Sequence, residues 1–154
     1  MEYGSIEREI QIDATPEVVY QVISTPDHLQ EWWPDEAELE PVAGGIGRIT
    51  FGDSSSPDAI SETLTVMEAD PPRRFSFRWV ADEGEPTTSS KSLLVTFDLV
   101  PAGAGTLLRF TETGFREKGW EAAVLEEQYR EHAAGWDHFF PRLVAYVGRM
   151  ASTP

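Results

Sequence analysis

No cysteine occurs among the 154 residues. That excludes a disulfide framework and thiolate chemistry, and it makes a cytoplasmic setting the simpler expectation. Histidine is scarce too: the three, His28, His132 and His138, fit no H-E-x-x-H or similar zinc spacing. No metal and no other cofactor is expected. Long apolar runs are missing: none approaches the roughly 18 residues that span a bilayer, and Met1 to Asp13 is too charged for a secretory leader. Positive charge is in short supply, with 12 Lys and Arg against 27 Asp and Glu, a formal net charge of −15. Such a chain repels phosphate backbones and anionic headgroups, so neither nucleic acid nor a membrane is an expected partner.

Motifs of covalent and phosphate chemistry are lacking as well. There is no G-x-S-x-G elbow, and Ser54 to Ser56 have no histidine near them in sequence. Gly44-Gly45-Ile46-Gly47 lacks the lysine and the strand-to-helix setting of a phosphate loop, and reads as a hairpin turn. No catalytic residue is assigned.

What the chain does have is a long amphipathic segment at its C-terminal end. Tyr129, Ala133, Trp136, Phe140, Leu143, Val147 and Met150 recur in steps of four and three, which keeps one face of an α-helix apolar. Pro141 removes one backbone donor there, yet the seam continues past it. Upstream, the period changes to two. Ile6, Arg8, Ile10 and Ile12 alternate with Glu7, Glu9 and Gln11, the pattern of a half-buried strand. Thr15-Pro16-Glu17 and Thr25-Pro26-Asp27 each combine a cap, a proline at the first helical position and an acid in the first turn, predicting two short helices. The second carries the chain to Trp32-Trp33.

From Ala37 onward short apolar segments are punctuated by turn residues, and about six further strands are predicted. Phe75, Phe77 and Trp79 share one strand face; Leu93, Val95, Phe97 and Leu99 share another; Leu108, Phe110 and Glu112 return on the matching face after Gly103 and Gly105. Asp82 to Ser90 is the longest polar gap and the expected mobile loop. The predicted class is α+β: a curved antiparallel sheet of about seven strands wrapped around one long C-terminal helix, residues 1–154 forming a single domain. Strands that curve around one helix leave a wedge, and this wedge is expected to be aromatic.

The segments Ile12-Asp13-Ala14-Thr15-Pro16-Glu17-Val18-Val19-Tyr20, Glu31-Trp32-Trp33-Pro34, Gly44-Gly45, Asp70-Pro71-Pro72-Arg73-Arg74 with Trp79, Gly105-Thr106, Glu112-Thr113-Gly114-Phe115 and Gly135-Trp136 carry a resemblance. In order and spacing the chain resembles the Hsp90 ATPase activator homologue family of the START-like, or Bet v 1-like, helix-grip superfamily. Tyr20 stands where that family usually has Trp. The resemblance implies a cavity between sheet and helix for a small hydrophobic or amphipathic molecule, with an aromatase- or cyclase-like enzyme and a chaperone-associated module as alternatives. The residues expected to line the cavity are Trp33, Phe51, Phe75, Phe77, Trp79, Phe97, Phe110, Glu112, His132, Trp136 and Phe140. The short helices ending at Trp32-Trp33 are the expected lid. Arg8 and Glu112, both turned inward by the period of two, are expected to face each other across neighbouring strands, as an ion pair that fixes register or as a polar pair that orients a ligand, since buried charges are seldom tolerated alone.

Overall fold

Thr15 opens the first helix as its sequence requires: its hydroxyl accepts from the Val18 N–H, Pro16 occupies the first turn and Glu17 adds an acid where the helix dipole favours one. The structure, a computed structural model, describes residues 3–53, 55–81, 86–88 and 91–151. Most of the Asp82 to Ser90 segment, the expected mobile loop, lies outside the described residues. The elements run β1 (Ser5–Ile12), α1 (Pro16–Ser24), α2 (Pro26–Trp32), β2 (Glu36–Leu39), β3 (Ile46–Phe51), β4 (Ile60–Asp70), β5 (Arg74–Trp79), β6 (Leu93–Ala102), β7 (Gly105–Thr113) and α3 (Ala122–Ala151).

All neighbouring strands are antiparallel in one seven-stranded sheet of order β1-β7-β6-β5-β4-β3-β2. The sheet is curved and α3 lies in its grip. The β2–β3 turn needs glycine twice: Gly44 has φ 84°, and a Cβ on Gly45 would run into the carbonyl oxygen of Glu40. A register shift between Val66 and Glu68 places a bulge in β4 opposite β5, the kind of irregularity that increases local twist. Helix α3 starts ahead of Tyr129 and runs 30 residues, about 45 Å at 1.5 Å per residue. It passes through Pro141 as one element. Trp136, Phe140, Leu143 and Val147 are buried along its seam, with Tyr129, Ala133 and Met150 packed partly buried at the same core.

One expectation fails in the register. Arg8 does not meet Glu112; β1 sets Ile6 opposite Glu112 and Arg8 opposite Phe110. The Arg8 guanidinium instead reaches across to α3, donating from Nε and Nη2 to the two carboxylate oxygens of Asp137 at 2.7 and 3.0 Å. That pairing leaves both side chains in partial contact with water, 33% and 56% exposed. The hydrogen bond from Arg8 holds the Asp137 carboxyl below its ordinary range, against some desolvation. The benefit is therefore present above the unfolded carboxyl pKa and is lost as pH falls through the folded one. For so exposed a pair we expect Arg8→Met to cost no more than about 1 kcal/mol. A double-mutant cycle on Arg8 and Asp137 should show coupling, whereas one on Arg8 and Glu112 should show nearly none. A large Arg8–Glu112 coupling by denaturant unfolding would contradict this geometry.

Candidate functional site: a carboxylate held by two indoles beside an aromatic pocket

The period of two along β7 turns Leu108, Phe110 and Glu112 to the helix side of the sheet, and Glu112 ends up 0% exposed. A lone carboxylate cannot be buried there without donors. It has three. Oε2 accepts from Nε1 of Trp79 at 2.8 Å, and Oε1 accepts from Nε1 of Trp136 at 2.9 Å. Nδ1 of His132 lies 3.0 and 3.1 Å from the two oxygens. Trp79 arrives from the end of β5, while His132 and Trp136 stand one turn apart on α3, so one side chain ties the middle of the sheet to the helix.

The electrostatics of His132 follow from this setting. Burial by itself disfavours the imidazolium, but the hydrogen bond and charge of Glu112, helped by Glu62 and Glu131, outweigh it and raise the pKa above the ordinary 6.5. With Nδ1 committed to the carboxylate, Nε2 is the nitrogen left for another molecule.

Beside this group lies a pocket of about 310 Å³. β3 and β4 contribute Phe51, Ile60 and Glu62; the end of β5 contributes Trp79 and Val80; α3 contributes Glu131, His132, Gly135, Trp136 and Phe139; Trp33 comes from just beyond α2. Its rings are in contact, Trp33 lying 5.0 Å from Trp136, 5.3 Å from Trp79 and 6.0 Å from Phe51 between centroids, with Phe51 5.9 Å from Phe139. Gly135 has no side chain to fill the helix wall, where an added Cβ would meet nothing within 4 Å. At the rim Val80 takes φ 57°, unusual for a β-branched residue, and its carbonyl accepts from Lys118 Nζ at 2.7 Å. Burial pushes the Glu62 carboxyl above its ordinary pKa, partly offset by His132 and Lys118. Among the described residues no group of His, Asp and Glu comes together that could hold a metal ion, and no helix is long and apolar enough to cross a membrane.

Of the residues expected to line a cavity, Trp33, Phe51, Trp79, His132 and Trp136 stand around this pocket. Phe75, Phe77, Phe97, Phe110, Phe140 and Glu112 do not; they are buried in the core behind it. There the rings close on one another, with Phe110 5.5 Å from Phe97 and 4.9 Å from Phe140, so that part of the wedge is packed shut. Trp33, at the end of the expected lid, is 5% exposed and lines the pocket's inner wall. The opening is marked by Ile60 and Glu131, which are exposed. Sequence reasoning missed Glu62 and Phe139, although both carried a signal. Glu62 shares strand parity with Leu64 and Val66, and Phe139 follows Trp136 at a helical step of three.

Residues 13–148 match the family described as activator of Hsp90 ATPase homolog 1-like protein. The chain belongs to that family. Its fold recurs in a protein from Mesorhizobium loti, 23% identical, with a TM-score of 0.75 over 94% of this chain and 97% of that one. It recurs also in the Aha1 dimer from Colwellia psychrerythraea, 21% identical with a TM-score of 0.70 over 93% and 95% of the two chains. A protein of the dynemicin biosynthetic locus is 19% identical, with a TM-score of 0.71 over 94% of this chain but 47% of that one. At these identities the likeness is one of fold. No curated protein matches the sequence significantly.

Proposed function

We propose that this family member is a non-catalytic binding protein that holds a small hydrophobic or amphipathic molecule between β3–β5 and α3. The observation that carries the reading is the pocket itself: about 310 Å³ walled by five aromatic side chains, with three polar side chains, Glu62, Glu131 and His132, the last held in place by a buried carboxylate. Mostly apolar walls with a few fixed polar atoms are what small-molecule sites use. The Glu112 network supports it by locking the orientations of Trp79, Trp136 and His132 before a ligand arrives, which lowers the ordering cost of binding. A second reading, an aromatase- or cyclase-like enzyme, draws on the same histidine, whose Nε2 could move a proton on a bound ligand. Turnover of the bound molecule separates the two, and stimulation of a partner ATPase would speak for a chaperone-associated role.

Native mass spectrometry of freshly purified protein should reveal a co-purified small molecule. With the ligand removed, a neutral apolar fluorescent probe should bind at one site with micromolar strength, about −8 kcal/mol, and quench tryptophan emission. Absence of both would leave the pocket without a role in binding.

A further inference from the structure

The pocket's charged groups are unevenly distributed. Its polar wall consists of Glu62, Glu131 and His132, and no lysine or arginine lines it. Among the described residues Glu62 and Glu131 make no hydrogen bond or contact ion pair, whereas His132 already has its counter-charge in Glu112. The ammonium of Lys118 is the remaining cation nearby, and it is occupied by the Val80 carbonyl and lies 5.2 Å from the Trp120 ring centroid. Two carboxylates thus stand without a contact partner in a pocket they share with Trp33, Trp79, Trp136, Phe51 and Phe139, His132 and Lys118 acting on Glu62 only through the field. Indole faces attract cations, and the attraction strengthens where water is excluded. A carboxylate ligand in the same place would meet two like charges.

Resting on the pocket reading above, we infer that the ligand of this site is a hydrophobic organic cation, an amine or quaternary ammonium carried on an aromatic or aliphatic body. Its charge sits between the indole rings and Glu62 and Glu131, and its apolar part lies along Trp33, Phe51 and Phe139. Such a ligand competes with a proton. The same carboxylates, Glu112, Glu62 and Glu131, support the charge on His132, so a second cation among them drives the imidazole toward its neutral form. Binding therefore releases a proton, and affinity for a cation rises with pH as His132 and Glu62 deprotonate.

The test uses three probes of one shape on the intact chain: the 2-naphthylmethyl trimethylammonium cation, its neutral tert-butyl isostere and 2-naphthylacetate, titrated by calorimetry. At pH 7.5 the cation should bind about tenfold tighter than the isostere, and the acetate should bind weakest. Between pH 8 and pH 5.5 the cation's affinity should fall while the isostere's stays level, and the heats in buffers of different ionisation enthalpy should report proton release. In the double variant Glu62→Gln, Glu131→Gln, shown folded by a cooperative melt, the cation-to-isostere ratio should approach one. Should the isostere equal the cation in the unmodified protein, or the acetate bind best, the cation inference is overturned while the pocket stands. Failure of all three probes to bind overturns both.

Discussion

Glu112→Leu is expected to lower stability by about 3–5 kcal/mol, a fall in Tm of roughly 10 °C for a chain of this size. The cost does not come from the carboxylate itself, whose burial is unfavourable. It comes from the donors left behind: the indole N–H groups of Trp79 and Trp136 and the Nδ1 of His132 all aim at one point, and none has another acceptor among the described residues. Each stranded donor costs on the order of 1–3 kcal/mol. Glu112→Gln should recover only part of the loss. An amide keeps one acceptor oxygen, but its –NH2 must then face the N–H of either Trp79 or Trp136, donor against donor, since each carboxylate oxygen accepts from one indole. The pH dependence separates this account from simple packing. Because the folded pKa of His132 is raised, its contribution is full below the ordinary 6.5 and disappears as pH rises through the folded value. That slope should be seen in urea midpoints of the unmodified protein and be absent from Glu112→Gln. A Glu112→Leu penalty below 1 kcal/mol would show that the network contributes nothing to the fold.

Trp136→Ala is the second large effect, about 3–5 kcal/mol. Its ring lies 4.6 Å from Phe110, 5.0 Å from Trp33 and 5.5 Å from Phe140, so truncation opens a void at the junction of core and pocket and removes a donor to Glu112. Trp136→Phe retains much of the ring packing and loses the N–H. It should cost about 1–2 kcal/mol and weaken the neutral probe with the melt still cooperative. If Trp136→Phe binds the probe as tightly as the parent chain, the indole N–H bond to Glu112 contributes nothing to shaping the pocket.

How far these residues were legible in the sequence differs by the kind of pattern that carries them. The period of two in β1 and β7, and the seam of α3, depend on local geometry, so strand faces and the helix emerge from spacing alone. The partner of Arg8 does not. Its inward parity was readable, but Asp137 lies off the apolar seam of α3, and only the crossing of helix over β1 brings the two together. The same limit separates pocket from core. Phe75 and Trp79 share a face of β5, yet one is closed over by Tyr20 and the other sits at the strand end beside the opening. Position along a strand, as opposed to parity, is set by where α1 and α2 cover the sheet, and no local pattern encodes that. Glu112 was read correctly as buried and assigned the wrong partner, because indole N–H groups leave no charge pattern by which to find them.

The pairing of β1 with β7 has a consequence for the chain's synthesis. Ser5 lies opposite Thr113 and Ile12 opposite Thr106, so β1 waits for β7, the last strand of the sheet, and α3 follows later still. Until that helix is released, Trp79 and Phe110 lack the rings of Trp136 and Phe140 that pack on them. A nascent chain stalled before α3 would carry Trp79 and Phe110 without that cover, on strands able to pair with other chains. Contacts of such long sequence separation also slow folding after release. The interval between translation of β7 and docking of α3 is thus when this protein is most exposed to aggregation.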